Sequence, residues 1–199
     1  MRSHVAPMVL LACAVPLAAA PMDFALRIGA AQGQGDLRNL VGSRIAREFG
    51  VSAGIQLGAG LTIRPTLEYQ GFPVLADGYT YHSARYNDVG NENARMSGWS
   101  SGVEAHYLSP RTAVPVYFLV GAYLKMWQER SYGSFTTSDI YNGTRTYSVD
   151  DTTTKNEPAL ALGLGCKLTR LVALETRMTF ASYRKQAYNT LHLGVVIRM

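Results

Sequence analysis

The most constraining feature of this sequence is a two-residue period that recurs in eight segments. In Asp23 to Ala31, Phe24, Leu26, Ile28 and Ala30 fall on one face, and Asp23, Ala25, Arg27 and Gly29 fall on the other. From Glu48 to Leu57, Phe49, Val51, Ala53, Ile55 and Leu57 oppose Gly50, Ser52, Gly54 and Gln56. From Leu61 to Phe72, Leu61, Ile63, Pro65, Leu67 and Tyr69 oppose Thr62, Arg64, Thr66, Glu68 and Gln70. The same alternation runs through 96–107, 114–127, 157–167, 171–183 and 190–199. A period of two puts successive side chains on opposite faces of a strand, so each segment reads as a β-strand with one apolar face.

Length decides what kind of strand. Most segments hold the pattern for about ten residues. Strands of soluble domains average about 5–6 residues, whereas a tilted strand needs about 9–11 to cross a bilayer. After the first twenty residues no apolar run approaches the ~18 that a membrane helix requires. The links alternate as well. Gly58-Ala59-Gly60, the region of Ser109-Pro110-Arg111 and Leu168-Thr169-Arg170 are short, while 32–47, 73–95 and 128–156 are long and polar. The last link on that long side, Arg184 to Ala187, is brief. These features predict an all-β fold: an eight-stranded antiparallel up-and-down transmembrane β-barrel with short periplasmic turns and long extracellular loops. An even strand count places both termini on the short-turn side. A mean hydropathy of −0.01 with only 17% charged residues is then the average of two faces.

In such a barrel the apolar set meets lipid and the polar set points inward. Strand charges fall on the inward set: Arg27, Arg64, Glu68, Glu104, Lys125, Glu157, Lys167, Glu175, Arg177 and Arg198. Eight strands enclose just enough space for side chains, and a buried charge without a partner costs several kcal/mol. The expectation is an interior polar network of salt bridges, with Glu68, Glu104 and Glu175 as partners of Arg64, Lys125 and Arg177. Glycines at 50, 54, 98, 102, 121, 163, 165 and 194 leave room for the long side chains. Tyr69, Phe72, Trp99, Tyr107, Trp127, Phe180 and Tyr183 sit near segment ends and are read as interfacial girdles. Pro65 and Pro158 lack the N–H of a ladder, so either local bulges are expected there or the strands start later than these bounds.

The N-terminus carries Arg2, an apolar stretch from Val5 to Ala20 and a closing Ala18-Ala19-Ala20. That is the build of a secretory signal peptide over 1–20, leaving 21–199 as one barrel domain. Leu10-Leu11-Ala12 before Cys13 offers the alternative of a lipoprotein signal. Removal of the leader leaves Cys166 as a lone thiol, read as a small apolar filler. The formal charge of +5 is scattered, without the basic runs and interleaved aromatics of a nucleic-acid surface, so no nucleic acid is expected.

The last eight residues, 192–199, resemble the C-terminal assembly signal of bacterial outer-membrane barrels: His192, then Gly194, then hydrophobics at alternate positions through Ile197 to the terminal Met199. With the strand count and size, residues 22–199 resemble the small OmpA/OmpX-type outer-membrane β-barrel family, often called porin-like. The resemblance implies export, insertion by the barrel assembly machinery, and a place in the cell outer membrane among its lipid and lipopolysaccharide. The resemblance is one of layout and not of a catalytic motif; the role expected is structural or surface-interaction, and the long loops, rich in Tyr, Ser, Gly and Asn, are the candidate surface for an extracellular ligand. A narrow pore for small solutes is the alternative. A lipid A-modifying enzyme is another, because some barrels of this size deacylate lipid A with a His and a Ser two apart on one strand. None of His82, His106 or His192 has a Ser at that spacing, and no phosphate loop or metal-ligand spacing appears. The reading is therefore non-enzymatic, without cofactor or metal.

Overall fold

The computed structural model describes residues 22–199, apart from 42, 59, 74, 83–85, 110–114, 140 and 184–185. The leader expected over 1–20 lies outside the described residues. The alternating segments form β1 (Met22–Gly35), β2 (Ile45–Gly58), β3 (Leu61–Gly71), β4 (Leu75–His82), β5 (Tyr86–Leu108), β6 (Val116–Asp139), β7 (Gly143–Lys167), β8 (Val172–Tyr183) and β9 (Gln186–Arg198), with one short helix, α1 (Asp36–Val41). All pairings are antiparallel, in the order β3-β2-β1-β9-β8-β7-β6-β5-β4, and β3 also pairs with β5. That last ladder closes a ring of eight strands, leaving β4 outside it as a partner of the upper half of β5.

The stagger of the ring follows from its pairs. Met22 is opposite Ile55, and the path continues through Ile63, Ala105, Val120, Leu162, Met178 and Leu191 to Gln32. One circuit thus returns to β1 ten residues beyond its start at Met22. With standard rise and strand spacing, that shear over eight strands gives a tilt of about 40° and a radius of about 8 Å.

The faces divide as the period requires. Phe118 (53% exposed), Val120 (55%), Leu160 (63%) and Leu193 (65%) point outward. Arg27, Glu68, Glu104, Lys125 and Arg177 are buried inside. An apolar exterior around a charged interior is the reverse of a water-soluble protein, and only a solvent without hydrogen bonds makes it stable.

Three expectations change. Residues 73–95 and 128–156 are not irregular loops. β5, β6 and β7 run far past the ring, and the β6–β7 ladder is unbroken from Val116↔Cys166 to Asp139↔Gly143. From Met126 to Asp139 the sheet projects about 40 Å along the strand. Outside the apolar band the strands are held by Thr and Tyr, which favour extended backbone without alternating hydrophobicity. Above Ala159 no described residue pairs with β7 on its β8 side, so that edge of the projecting sheet is bare. Second, neither proline makes a bulge: Pro65 stays in register with Val103, and Pro158 with Leu124. The register shift falls instead between Gln56 and Gly58, beside a turn where Gly58 and Gly60 both take positive φ. Third, Trp127 and Phe72 are not girdle residues but are buried inside the barrel. Trp99, Tyr107 and Phe180 are exposed on the outside, with Tyr69 packed on Trp99 at 5.1 Å. The side chain of Tyr183 lies outside the described residues.

Candidate functional site: the barrel interior

Inward side chains from eight tilted strands meet in three layers. At the short-turn end, Arg64 Nη2 donates to both oxygens of Asp23 at 2.5 and 2.6 Å, and Nη1 donates to Ser52 at 3.3 Å. His106 stacks on Tyr117 at 5.1 Å, and the Arg198 guanidinium lies 5.4 Å from the same tyrosine ring. Lys167 is half-buried beside them. The void between these groups measures about 20 Å³, room for about one water.

The middle layer is a cluster of ion pairs. Arg177 Nη1 and Nη2 grip Glu68 at 2.9 and 2.8 Å, and they donate also to Glu104 (2.8 Å) and Glu48 (2.9 Å). Arg27 pairs with Glu68, with Glu104 at 3.0 Å and with Glu175 at 2.6 Å. Tyr123 accepts from Arg177 at 2.7 Å and donates to Glu104, and Tyr117 donates to Glu175 at 2.9 Å. His106 Nε2 is 2.6 Å from Glu104, and His192 Nδ1 pairs with Glu48. Two guanidiniums thus hold four carboxylates, with hydroxyl and imidazole groups filling the remaining sites. Two forked cations are suited to this, because each presents five donors in fixed directions.

The upper layer turns from polar to apolar. Lys125 donates to Thr190 at 3.1 Å and lies under Trp127, 5.0 Å from its ring. Trp127 donates to Glu157 at 2.5 Å. Above this Phe72, Met96, Tyr188, Leu37 and Val41 form a buried plug with Trp127. Leu37 and Val41 come from α1, which the chain folds across the barrel mouth, and Asp36 accepts from Ala187 N at 2.7 Å. Aromatic bulk fits because glycines stand opposite it. Trp127 is directly across from Gly98, where a Cβ would come within 2.5 Å of the ring. Tyr117 likewise covers Gly165.

Of the ten charged residues expected inside, Arg27, Glu68, Glu104, Glu175 and Arg177 share the middle cluster, and Glu157 is buried above it, accepting from Trp127. Arg177 meets Glu68 and Glu104 but not Glu175, which Arg27 and Tyr117 hold. Arg64 does not: although it is directly opposite Glu104, that carboxylate is taken by Arg27, Arg177, Tyr123 and His106, so Arg64 turns to Asp23. Lys125 turns to a hydroxyl and an indole, and no ion pair holds it among the described residues. Lys167 and Arg198 stay at the short-turn mouth. Glu48, Asp23, Tyr123 and Trp127 are missing from the expected set. Glu48 and Asp23 share the inward parity of their strands and were legible by that rule.

In the C-terminal strand His192 points into the network, whereas Ile197 and Met199 are exposed outside. Gly194 is opposite Gly29 on the seam between the first and last strands, and a Cβ on Gly29 would come within 2.6 Å of the Leu193 carbonyl. Thr190 Oγ1, His192 Nε2 (2.6 Å) and Glu48 have the connectivity of a nucleophile, base and orienting acid. Thr190 is fully buried and no described cavity reaches it, so the trio belongs to the packing of the network. Among the described residues no group of three His, Cys, Asp or Glu could hold a metal ion.

No family model matches the sequence, and no curated protein does either. Solved structures do. The attachment invasion locus protein Ail of Yersinia pestis, crystallised with the heparin analogue sucrose octasulfate, matches at 15% identity and a TM-score of 0.50, over 89% of this chain and 99% of that one. Neisserial surface protein A matches at 16% identity and a TM-score of 0.48, over 89% and 96%. The N-terminal β-barrel domain of Pseudomonas aeruginosa OprF matches at 13% identity and a TM-score of 0.45, over 89% and 97%. The likeness is one of fold: this chain has the architecture of the small outer-membrane β-barrels.

Proposed function

We propose that this chain is a non-catalytic integral protein of the bacterial outer membrane, closed to solutes, that presents its projecting sheet at the cell surface. The observation that carries the reading is the inverted polarity of the ring. Its outer face is apolar from Phe118 to Met126 on β6 and, but for Ser101, from Trp99 to Tyr107 on β5, while its interior holds a cluster of ion pairs under an apolar plug. Eight steps along a strand tilted by about 40° give a band about 20 Å tall, close to the ~25 Å expected of outer-membrane barrels. In this reading residues 1–20 are removed on export. The short turns and both termini face the periplasm, and the projecting sheet stands outside. The strand bearing His192, Gly194, Ile197 and Met199 is the segment offered to the assembly machinery. The bare edge of β7 and its neighbours, rich in Thr, Tyr and Asp, form the surface available to an extracellular ligand. Outer-leaflet lipid and lipopolysaccharide surround the band.

Planar-bilayer recording of the refolded protein tests the closed interior. The expectation is no unitary conductance from material that shows heat-modifiable migration on a gel. Steady single-channel steps from such material would replace the closed barrel with a narrow pore.

A further inference from the structure

On the outer wall, where the apolar band ends and the projecting sheet begins, lies a groove of about 830 Å³. Its lower wall is Tyr69, Trp99 and Met126, and its upper wall carries Arg95 and Arg130. The two arginines are direct cross-strand partners on β5 and β6. Like charges placed opposite each other in a sheet repel and lower stability, and a local rule broken without a structural gain marks a functional site. Only one of the two is neutralised. Asp150 accepts from Arg130 Nε and Nη2 at 3.0 and 2.9 Å, leaving Nη1 unused. Arg95 is exposed and has no hydrogen-bond or ion-pair partner among the described residues. A third arginine, Arg47, is exposed on β2 opposite Gly71, whose other partner is Ser97 in the groove. Across the ring, the outward Gln32 of β1 and Asn189 of β9 carry no charge.

From these placements we propose that the groove holds a phosphorylated glycolipid of the outer leaflet, its phosphate on Arg95 and Arg130 and an acyl chain along Trp99 and Met126. The proposal rests on the membrane-embedded reading above and names a lipid partner for it. Arginine forks bind phosphate oxygens in pairs. Arg95 is four residues above Trp99, about 13 Å along the strand, so the charged and apolar walls of the groove are offset in the order of a head group and its chains. A soluble sulfated glycan fits the arginines equally but leaves the apolar lower wall uncovered; an amphiphile satisfies both walls.

The test uses the refolded full-length mature chain in detergent micelles and measures retention of bis-phosphorylated lipid A by native mass spectrometry. Comparison arms are enzymatically dephosphorylated lipid A, inorganic phosphate and a sulfated oligosaccharide as competitors, and the variants R95A/R130A, R95K/R130K and R170A. Arg170 is exposed in the short turn at the opposite end. The expected result is that dephosphorylation and R95A/R130A each weaken retention by about tenfold or more. R95K/R130K, which keeps the charge and loses the fork, retains an intermediate share, R170A keeps all of it, and neither soluble anion displaces the lipid at equal concentration. Retention of lipid A by R95A/R130A within twofold of the parent overturns the site, as does equal retention of the dephosphorylated lipid. Full displacement by the oligosaccharide reassigns the groove to a glycan and also overturns it. Heat-modifiable migration is scored in parallel. Its absence from the parent protein counts against the embedded barrel itself, whereas its presence with unselective lipid retention counts against this groove alone.

Discussion

Replacing Arg177 by methionine tests the ion cluster most directly. The methionine keeps much of the apolar stem but removes a guanidinium that is about 1% exposed and bonded to Glu48, Glu68 and Glu104 at 2.8–2.9 Å. Arg27 then remains to hold Glu68, Glu104 and Glu175, and Glu48 keeps only His192. Removing one partner of a buried pair costs about 3–5 kcal/mol, because the charges left behind are neither solvated nor compensated. With a urea dependence of about 2 kcal/mol per molar, the unfolding midpoint falls by about 2 M. The assay is urea unfolding in phospholipid vesicles, read as the fraction of heat-modifiable band. E68Q in the same background removes one uncompensated charge, so R177M/E68Q is more stable than the sum of the two single losses, by at least about 1 kcal/mol of coupling. An R177M midpoint within about 0.3 M of the parent, or additivity in the cycle, would show that the cluster does not act as a unit and refute the argument.

Two further perturbations follow from the same geometry. A methyl group at Gly165 falls inside the Tyr117 ring, so G165A destabilises the barrel by about 1–3 kcal/mol; the loss shrinks in a Y117L background, and an equal loss in both backgrounds would contradict the packing account. In the projecting sheet, hydrogen bonds from Arg130 hold the Asp150 carboxyl below its ordinary range. The pair's contribution is therefore present above the ordinary carboxylate pKa and fades as pH falls through the depressed one. Carboxyl carbon NMR should show Asp150 titrating lower in the parent than in R130A, and identical titration in the two proteins would deny the pair in solution.

The ring of strands was readable because lipid and a packed polar lumen impose opposite chemistries on alternate residues. That contrast is strong from Phe118 to Met126, where every outward residue is apolar. It disappears at Gln128, where both faces meet water, and for that reason β5, β6 and β7 run well past the ends that alternation gives them. Trp127 shows the limit in another way. It sits at the end of an apolar run, where an interfacial aromatic and an interior plug look identical along one strand. Its parity with Lys125 and Tyr123 places it inside, and Gly98 on the neighbouring strand makes the room. Pro65 and Pro158 raised an expectation of bulges that the unbroken registers do not bear out.

By itself the sequence determined the strand period, the direction each side chain faces, and the crossing length, since these depend only on neighbours along the chain and on the solvent each face must meet. It also set the inventory of interior charge. The pairing of those charges was decided by the closed ring. A stagger of ten residues around eight strands brings Arg177 of β8 to Glu48 of β2 and Glu68 of β3, contacts separated by more than a hundred positions. The same stagger leaves Arg64 with Asp23 rather than with the glutamate directly across from it. Sequence spacing carries no trace of such contacts, because they follow from the radius and tilt of the finished barrel.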